Sequence, residues 1–264
     1  MGGGLTAVFN TESAWHFFNN RAYRDYIDGC TNIAIDGIGL KLALRMRGLS
    51  VERFHGPNLC EKLIASKLDY GNSILVVGGH DANQNLVECG KIEGYFPLPK
   101  ISDVSDFSSS LEELLLFIKR FKGRKVILVS LGLPKQELFC KWLYDSILMD
   151  PSIADEDIVL VPVGAAVDFL SGHRTRSGKI WQKFGLEWLP RLVREPRMLD
   201  RESILRRGGE LELECPDLGS DLMGKNGESK LSYYKHGSVG VRSDSREYAS
   251  ARHTALHRQA TESS

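Results

Sequence analysis

The chain has 264 residues, and its 34 basic side chains balance its 34 acidic ones, which gives a formal net charge of zero. A balanced charge excludes the strong positive field of many nucleic-acid-binding proteins, so no nucleic acid partner is expected. No run of about 20 apolar residues is long enough to cross a membrane, and the start MGGG has no signal-peptide pattern. Five scattered cysteines exclude a CxxC metal site and favour a reducing, cytoplasmic compartment over a disulfide framework.

Apolar runs rich in valine and isoleucine recur through the first two thirds of the chain and mostly lack polar alternation. Strands of this kind are buried on both faces, which is typical of a parallel sheet covered by helices. The predicted strands are residues 5–10, 32–36, 73–79, 99–104, 125–132 and 157–166. The predicted helices are residues 11–27, 39–47, 58–69, 81–94, 108–121 and 134–148. This alternation predicts a Rossmann-like α/β domain over residues 1–172, with a mostly parallel sheet and helices on both faces.

The second predicted strand ends in the segment NIAIDGIGLKL, which places Asp36 at its carboxyl end before Gly37 and Gly39. Such a carboxylate is well placed to accept a proton from a bound hydroxyl, and the alternative is an aspartate that caps the next helix. The Gly-x-Gly pattern also makes an NAD-dependent dehydrogenase one alternative function. Leu42 stands in the place of the third glycine, and the fingerprint normally follows the first strand, so the evidence for NAD is weak.

Two further segments hold candidates for phosphate binding. Arg53 precedes a helix start, and its planar guanidinium suits the oxygens of a diphosphate, although a lone arginine is more often a solvated surface charge. Gly78 and Gly79 join the third strand to a helix, where glycines let backbone N–H groups approach a phosphate. The alternative for these glycines is a tight turn that needs no ligand.

The fifth predicted strand leads into a Gly-x-Pro turn in KVILVSLGLPKQE, residues 125–137, which ends with Lys135, Gln136 and Glu137. In open α/β sheets, ligands bind outside the carboxyl ends of the strands, where helix N-termini converge. A cation, an amide and a carboxylate in succession therefore predict a binding site. An ordinary strand-to-helix loop with solvated side chains is the alternative.

Asp155, Glu156 and Asp157 match the DxD pattern with which many sugar transferases hold a divalent metal. Here the pattern precedes a predicted strand instead of following one, so we interpret it as an acidic loop. No HExxH motif, Walker-type loop or paired metal triad occurs in the sequence, and no metal site is predicted.

Beyond Gly172 the sequence is basic and aromatic and lacks strand signals. Residues 173–207 contain ten lysines and arginines against four acidic residues, which predicts a basic amphipathic helical appendage. Its apolar face can pack on the rest of the chain or bind a membrane surface or a partner, so a membrane-surface binding module is a second alternative function. Residues 208–264 have few large apolar side chains and are predicted to form a disordered tail.

Six segments resemble, in order and spacing, the WecG/TagA/CpsF family, glycosyltransferase family 26. They are DGIGLKLALRMRG, VERFHGPNL, ILVVGG, LVSLGLPKQE, VPVGAAVDFLSG and FGLEWLPRLVREP, within residues 6–201. The resemblance implies an inverting, metal-independent bacterial enzyme that needs no cofactor. Such an enzyme moves a sugar, N-acetylmannosamine or a related hexose, from a UDP donor to a polyprenyl-diphosphate-linked acceptor. The products of the family include teichoic acid linkage units, enterobacterial common antigen and exopolysaccharides, which implies a peripheral protein on the cytoplasmic face of the inner membrane.

The resemblance also implies roles for individual residues. Asp36 matches the proposed catalytic base, and Gln136 matches the polar residue placed beside it at the donor sugar. Arg191 and Arg194 match the C-terminal appendage that closes over the site. With the candidates above, the predicted substrate-binding residues are Asn10, Gly37, Arg53, Gly78, Gly79, Lys135, Glu137, Arg176, Arg191 and Arg194. Self-association into a homo-oligomer stays an open alternative.

The chain departs from the family pattern at several places. Arg176-Ser177-Gly178 stands where relatives commonly have Arg-Ala-Pro, and Pro190 stands where they usually have tyrosine. A proline there is expected to kink or restart the helix that carries Arg191 and Arg194. DVSDF replaces the usual Gly-Tyr-Phe after the fourth predicted strand, and the segment before the first strand is shorter than expected. These departures predict a donor or acceptor preference that differs from that of the familiar members.

Overall fold

The centre of the protein is a sheet of six parallel strands, seen in a computed structural model that describes residues 3–51, 54, 56–99 and 104–175. The strands are β1 (Gly4–Phe9), β2 (Cys30–Ile35), β3 (Ser73–Gly78), β4 (Gly94–Phe96), β5 (Lys125–Ser130) and β6 (Ile158–Pro162). They lie in the order β2-β1-β6-β5-β3-β4, and every neighbouring pair is parallel. The prediction of a Rossmann-like α/β fold is confirmed, and the sheet is fully parallel in the described residues.

Eight α-helices accompany the strands in the part of the chain that the structure describes. They are α1 (Thr11–Asn19), α2 (Arg21–Asp28), α3 (Ile38–Met46), α4 (Gly56–Tyr70), α5 (Gln84–Glu88), α6 (Leu111–Lys119), α7 (Lys135–Met149) and α8 (Ala166–Leu170). Two short 3-10 helices, Asp81–Asn83 and Val104–Ser110, precede α5 and α6. No helix among the described residues is both long and apolar enough to cross a membrane.

The apolar side chains of the strands form two hydrophobic cores, one on each face of the sheet. Successive residues of a strand point to opposite faces, so Ile127 and Val129 lie in one core while Val126 and Leu128 lie in the other. The first core includes Phe17 of α1 and residues of α2, α6 and α7, and the second includes residues of α4, α5 and α8. Helices therefore cover both faces, as the unbroken apolar runs predicted.

The first predicted helix, residues 11–27, is wrong as a single element because the chain breaks at Asn20. This residue has an extended backbone, with φ −132° and ψ 110°, and its side-chain Oδ1 accepts a hydrogen bond from the Tyr23 N–H at 3.2 Å. Asparagine caps a helix in this way more readily than it continues one. The break separates α1 from α2 and lets both pack against the first core.

The fourth predicted strand, residues 99–104, is also wrong, because β4 lies at Gly94–Phe96 and begins at the last residue of the predicted helix 81–94. Helix α5 ends at Glu88, shortly before Gly90 takes a positive φ of 71°. Gly94 fits beside two phenylalanine rings, since an added Cβ would lie 2.7 Å from Phe117 and 2.6 Å from Phe121. Val104 belongs to a 3-10 helix, and residues 100–103 lie outside the described ranges.

The sixth predicted strand, residues 157–166, is too long at its carboxyl end. Strand β6 ends at Pro162, Gly164 takes a positive φ of 54°, and Ala166 begins the unpredicted helix α8. The predicted appendage over residues 173–207 lies outside the described residues apart from 173–175, and so does the whole predicted tail over 208–264. Cysteines 30, 60, 89 and 140 are free thiols.

Candidate active site

The carboxyl ends of the parallel strands place five connecting segments at one edge of the sheet. Asn10 follows β1, Asp36 follows β2, Gly79 follows β3, the turn before α7 follows β5, and Gly164 follows β6. Open parallel sheets bind their ligands at this edge, because loops and helix N-termini converge there. The predicted site residues that the structure describes lie in these segments, at the end of β3 or at the start of α7.

Asp36 lies against the beginning of a helix. Its backbone N–H donates to the Phe9 carbonyl at 2.8 Å, which joins the ends of β2 and β1. Gly56 lies close to both this side chain and Ala166. A Cβ built on Gly56 would be 3.9 Å from Asp36 Oδ2 and 3.8 Å from the Ala166 Cβ. Because Gly56 begins α4, the N–H groups of the first turn of that helix favour a negative charge on this side chain.

Gln136 joins the start of α7 to the segment between β6 and α8. Its side-chain Oε1 accepts a hydrogen bond from the Gly164 N–H at 2.8 Å, and its Nε2 donates to Glu137 Oε1 at 2.9 Å. Only 6% of the residue is exposed. Asp36 and Gln136 therefore lie near the same short segment, Gly164 to Ala166.

Lys135, Gln136 and Glu137 point in three different directions. Successive residues of an α-helix are about 100° apart around its axis, so they cannot share one face. Lys135 is exposed, Gln136 points toward the β6–α8 segment, and Glu137 is directed into the protein, where it is 1% exposed. The predicted contacts of Lys135 and Glu137 with substrate stay predictions.

Glu137 is a carboxyl group buried in the first core. Burial raises its pKa to about 7, while the hydrogen bond from Gln136 opposes this shift. Its second oxygen, Oε2, is buried without a hydrogen-bond partner among the described residues. A carboxyl in this position carries a proton over part of the neutral pH range, and it holds the amide of Gln136 in one orientation.

Asn10 is the N-cap of α1. Its Oδ1 accepts hydrogen bonds from the Ser13 N–H at 2.9 Å and from the Ser13 hydroxyl at 3.2 Å. The same side chain therefore fixes the first turn of α1 at the tip of β1. Its predicted contact with substrate stays a prediction.

Gly78 and Gly79 form a turn packed closely against the end of β5. A Cβ on Gly78 would lie 2.8 Å from Leu131, and a Cβ on Gly79 would lie 2.6 Å from Asn83 Nδ2 and 2.8 Å from Ser130 Oγ. Both glycines also have positive φ, 75° and 83°. The tight-turn interpretation is therefore sufficient to explain the two glycines, and the phosphate interpretation stays a prediction.

Replacing Gly79 with alanine is expected to destabilise the protein more than replacing Gly90 does. Both positions have positive φ, which costs an L-residue about 1–2 kcal/mol. Only Gly79 also lacks space, since nothing lies within 4 Å of a Cβ built on Gly90. We expect the free energy of unfolding to fall on the order of 1 kcal/mol further in the Gly79→Ala variant, measured by urea denaturation. Equal losses would show that the turn relaxes without cost.

A polar network continues from this turn to the end of the described chain. The Ser130 hydroxyl donates to the Gly164 carbonyl at 2.7 Å, and Asn83 Nδ2 donates to Asp168 Oδ1 at 3.4 Å. Asp168 also lies 3.7 Å from the guanidinium of Arg174. The rings of His80 and His173 stack with their centres 3.4 Å apart. Residues 173 and 174, which begin the predicted appendage, therefore contact the same edge of the sheet as Asp36 and Gln136.

The acidic loop lies at the opposite edge of the sheet, before β6. Glu156 pairs with the buried Lys125, and Asp157 lies 3.7 Å from Arg124. Both cations stand at the start of β5, so the loop neutralises local positive charge far from the carboxyl ends of the strands. Within the described ranges, no group of three or more His, Cys, Asp or Glu side chains is arranged to hold a metal ion.

The sequence model of the glycosyl transferase WecG/TagA/CpsF family matches residues 2–206. The chain belongs to this family. The match includes β1 to β6, the loops at the carboxyl edge and most of the predicted appendage. The family membership shows a glycosyltransferase of cell-surface polysaccharide synthesis, and sugar donor and acceptor substrates follow from that activity.

Six of the predicted WecG/TagA/CpsF site residues lie at the carboxyl edge of the sheet. They are Asn10, Asp36, Gly37, Gly78, Gly79 and Gln136. Arg53, Arg176, Arg191 and Arg194 lie outside the described residues. Sequence reasoning missed four contributors to this edge, which are Asn83, Ser130, Gly164 and Asp168. Gly164, which directly follows the apolar run of β6, is the sequence signal for a loop at that place, although the predicted strand 157–166 includes it.

Proposed function

We propose that the protein is an inverting glycosyltransferase that moves a hexose from a UDP-sugar to a polyprenyl-diphosphate-linked acceptor. The observation that carries this proposal is the position of Asp36. In a chain of the WecG/TagA/CpsF family, this carboxylate stands at the carboxyl end of a strand beside the first residues of α4. A sugar of the N-acetylmannosamine type is the proposed transferred group, in teichoic acid or other cell-surface polysaccharide synthesis.

Asp36 acts as the general base in this proposal. Its carboxylate takes the proton of the acceptor hydroxyl while that oxygen attacks the anomeric carbon on the face opposite the UDP group. The C–O bond to UDP breaks in the same step, so the configuration at the anomeric carbon inverts. The start of α4 lies beside Asp36, and a helix N-terminus favours the negative charge of a carboxylate base.

Gln136 orients the donor sugar. Its Oε1 is bonded to Gly164 and one amide hydrogen is bonded to Glu137, so the second amide hydrogen is the group that it offers to a sugar hydroxyl. The hydrogen bonds to Gly164 and Glu137 fix the orientation of the amide, so the direction of its second N–H is fixed as well. Orientation of this kind lowers the entropy cost of reaching the transition state.

The departing UDP gains negative charge, which cations and backbone N–H groups must stabilise. In our proposal these are Arg53 and the arginines of the appendage, Arg176, Arg191 and Arg194. The described start of the appendage supports this role, because His173 and Arg174 already contact the carboxyl edge of the sheet. We assign residues 1–172 to the catalytic domain and residues 173–207 to an appendage that closes over it on the cytoplasmic face of the membrane.

A thermal-shift comparison of UDP with NAD tests the donor class. We expect saturating UDP to raise the melting temperature by roughly 5–10 °C at 100 times its Kd, because a ligand that binds only the folded state stabilises it. NAD at the same concentration is expected to have no effect. A shift with NAD alone would favour the dehydrogenase alternative and contradict the proposal.

Turnover is expected to be unchanged, within about twofold, when EDTA is added. In the proposed reaction the leaving diphosphate is stabilised by arginines and backbone amides. UDP release from the UDP-sugar, measured with and without EDTA, checks this expectation. A strict requirement for added Mn²⁺ would contradict it, and Asp155→Asn would then show whether the acidic loop supplies a ligand.

A further inference from the structure

Helix α3 has two apolar faces, and only one of them is buried. Leu40 and Leu44 are buried in the first core. Ile38, Leu42 and Met46 are 46%, 57% and 80% exposed. Residues four apart in a helix lie one above the other, so these three side chains form a continuous outward row about 12 Å long. We call this row the outer face of α3.

A row of cations borders the outer face. Lys41 and Arg45 lie three residues after Ile38 and Leu42, which places them beside the apolar row, and Arg47 follows the helix. No aspartate or glutamate occurs between Gly37 and Val51. An apolar row edged only by cations is the pattern of a helix that lies in the interface of an anionic bilayer.

The outer face is close to the proposed catalytic base. Gly37 is the N-cap of α3 and directly follows Asp36, so the helix begins at the carboxyl end of β2. The other exposed apolar side chains are separate from it along the chain, for example Leu68 of α4 and Leu116 of α6. In the described residues, the apolar row and its cations thus belong to a helix that begins at the edge of the sheet that holds the site.

We propose that the outer face of α3 docks on the surface of an anionic lipid bilayer, with Leu42 and Met46 inserted between headgroups and Lys41 and Arg45 paired with lipid phosphates. This docking brings Asp36 to the membrane surface, where a prenyl-linked acceptor presents its sugar; this consequence rests on the proposed function. Charge selects a bilayer over a second copy of the chain as the occupant, because a second α3 would bring the same cations against these.

Co-sedimentation of the full chain with vesicles tests the proposal. The vesicles contain phosphatidylcholine with 30% phosphatidylglycerol, and pure phosphatidylcholine is the lipid control. We expect Leu42→Gln/Met46→Gln to weaken binding about tenfold or more, and Lys41→Gln/Arg45→Gln to weaken it about fivefold for each cation removed. Two matched variants, Leu68→Gln/Leu116→Gln and Lys91→Gln/Lys122→Gln, change exposed residues elsewhere and are expected to bind within twofold of the wild type.

Unchanged binding of the α3 variants to anionic vesicles would overturn the docking surface, and so would equal weakening by the matched variants. Light scattering tests whether a second copy of the chain covers the outer face instead. If the wild type is a dimer and Leu42→Gln/Met46→Gln is a monomer that still binds vesicles, the outer face is a dimer interface and the docking proposal is wrong. Turnover on a short, water-soluble prenyl acceptor separates this proposal from the proposed function. The α3 variants are expected to keep that turnover. If vesicle binding depends on α3 but the wild type has no transferase activity, the proposed function is contradicted while the docking surface is not.

Discussion

Asp36→Asn is expected to lower turnover by about 10²–10⁴-fold while UDP binds within about twofold of the wild type. Asparagine has the shape of aspartate but cannot take the proton of the acceptor hydroxyl. The side chain lies beside Gly56, the first residue of α4, and an asparagine of the same size adds no bulk there. The loss should therefore appear in kcat and not in the affinity for the donor nucleotide.

Initial rates of UDP release and calorimetric titration with UDP measure the two quantities. Asp69→Asn is the matched control, because it removes an exposed carboxylate near the C-terminal end of α4, whose first residue lies beside Asp36. Near-normal turnover of Asp36→Asn would remove Asp36 from the role of base. Loss of UDP binding together with turnover would assign it to the nucleotide pocket instead.

Glu137→Gln is expected to change how the stability of the protein depends on pH. Burial raises the pKa of Glu137 from 4.5 to about 7, so between these values the folded state keeps a proton that the unfolded state loses. The stabilisation from this proton is complete below pH 4.5 and is lost as the pH rises through 7. Glutamine has the same shape and stays neutral, so the variant lacks this loss.

Urea denaturation at pH 5 and pH 8 tests the expectation. Relative to Glu137→Gln, the free energy of unfolding of the wild type should fall by about 2–3 kcal/mol between these pH values, at 1.36 kcal/mol for each pH unit below 7. Glu113→Gln, on the exposed side of α6, controls for the removal of one negative charge. A constant difference between wild type and Glu137→Gln would mean that the buried carboxyl does not hold a proton at pH 5.

The strands were predictable where burial on both faces leaves an unbroken apolar run. The predicted bounds of β1, β3 and β5 agree with the structure within two residues, since at least five of the six residues in each strand are buried. Strand β4 has only three residues and begins with Gly94. A side chain at this position would collide with the rings of Phe117 and Phe121. This steric requirement depends on the tertiary structure, so the local sequence pattern does not predict it.

The site was predictable as a set of strand ends, but the contacts of its side chains were not. Asp36 and Gln136 follow apolar runs, and parallel topology carries both to the same edge. The hydrogen bond from Gly164 to Gln136 joins residues 28 positions apart, and no periodicity predicts such a pair. The separate directions of Lys135 and Glu137 depend on which side of α7 faces the core, which short-range sequence does not fix.

The most direct measurement of the central claim follows the anomeric configuration through the reaction. Purified full-length protein is incubated with UDP-hexoses, including UDP-N-acetylmannosamine, and a short prenyl-diphosphate-linked sugar acceptor, and the product is examined by NMR. The proposal predicts acceptor-dependent release of UDP and a product whose new glycosidic bond has the configuration opposite to that of the donor. Retained configuration, or no transfer from any UDP-sugar in the panel, would contradict it.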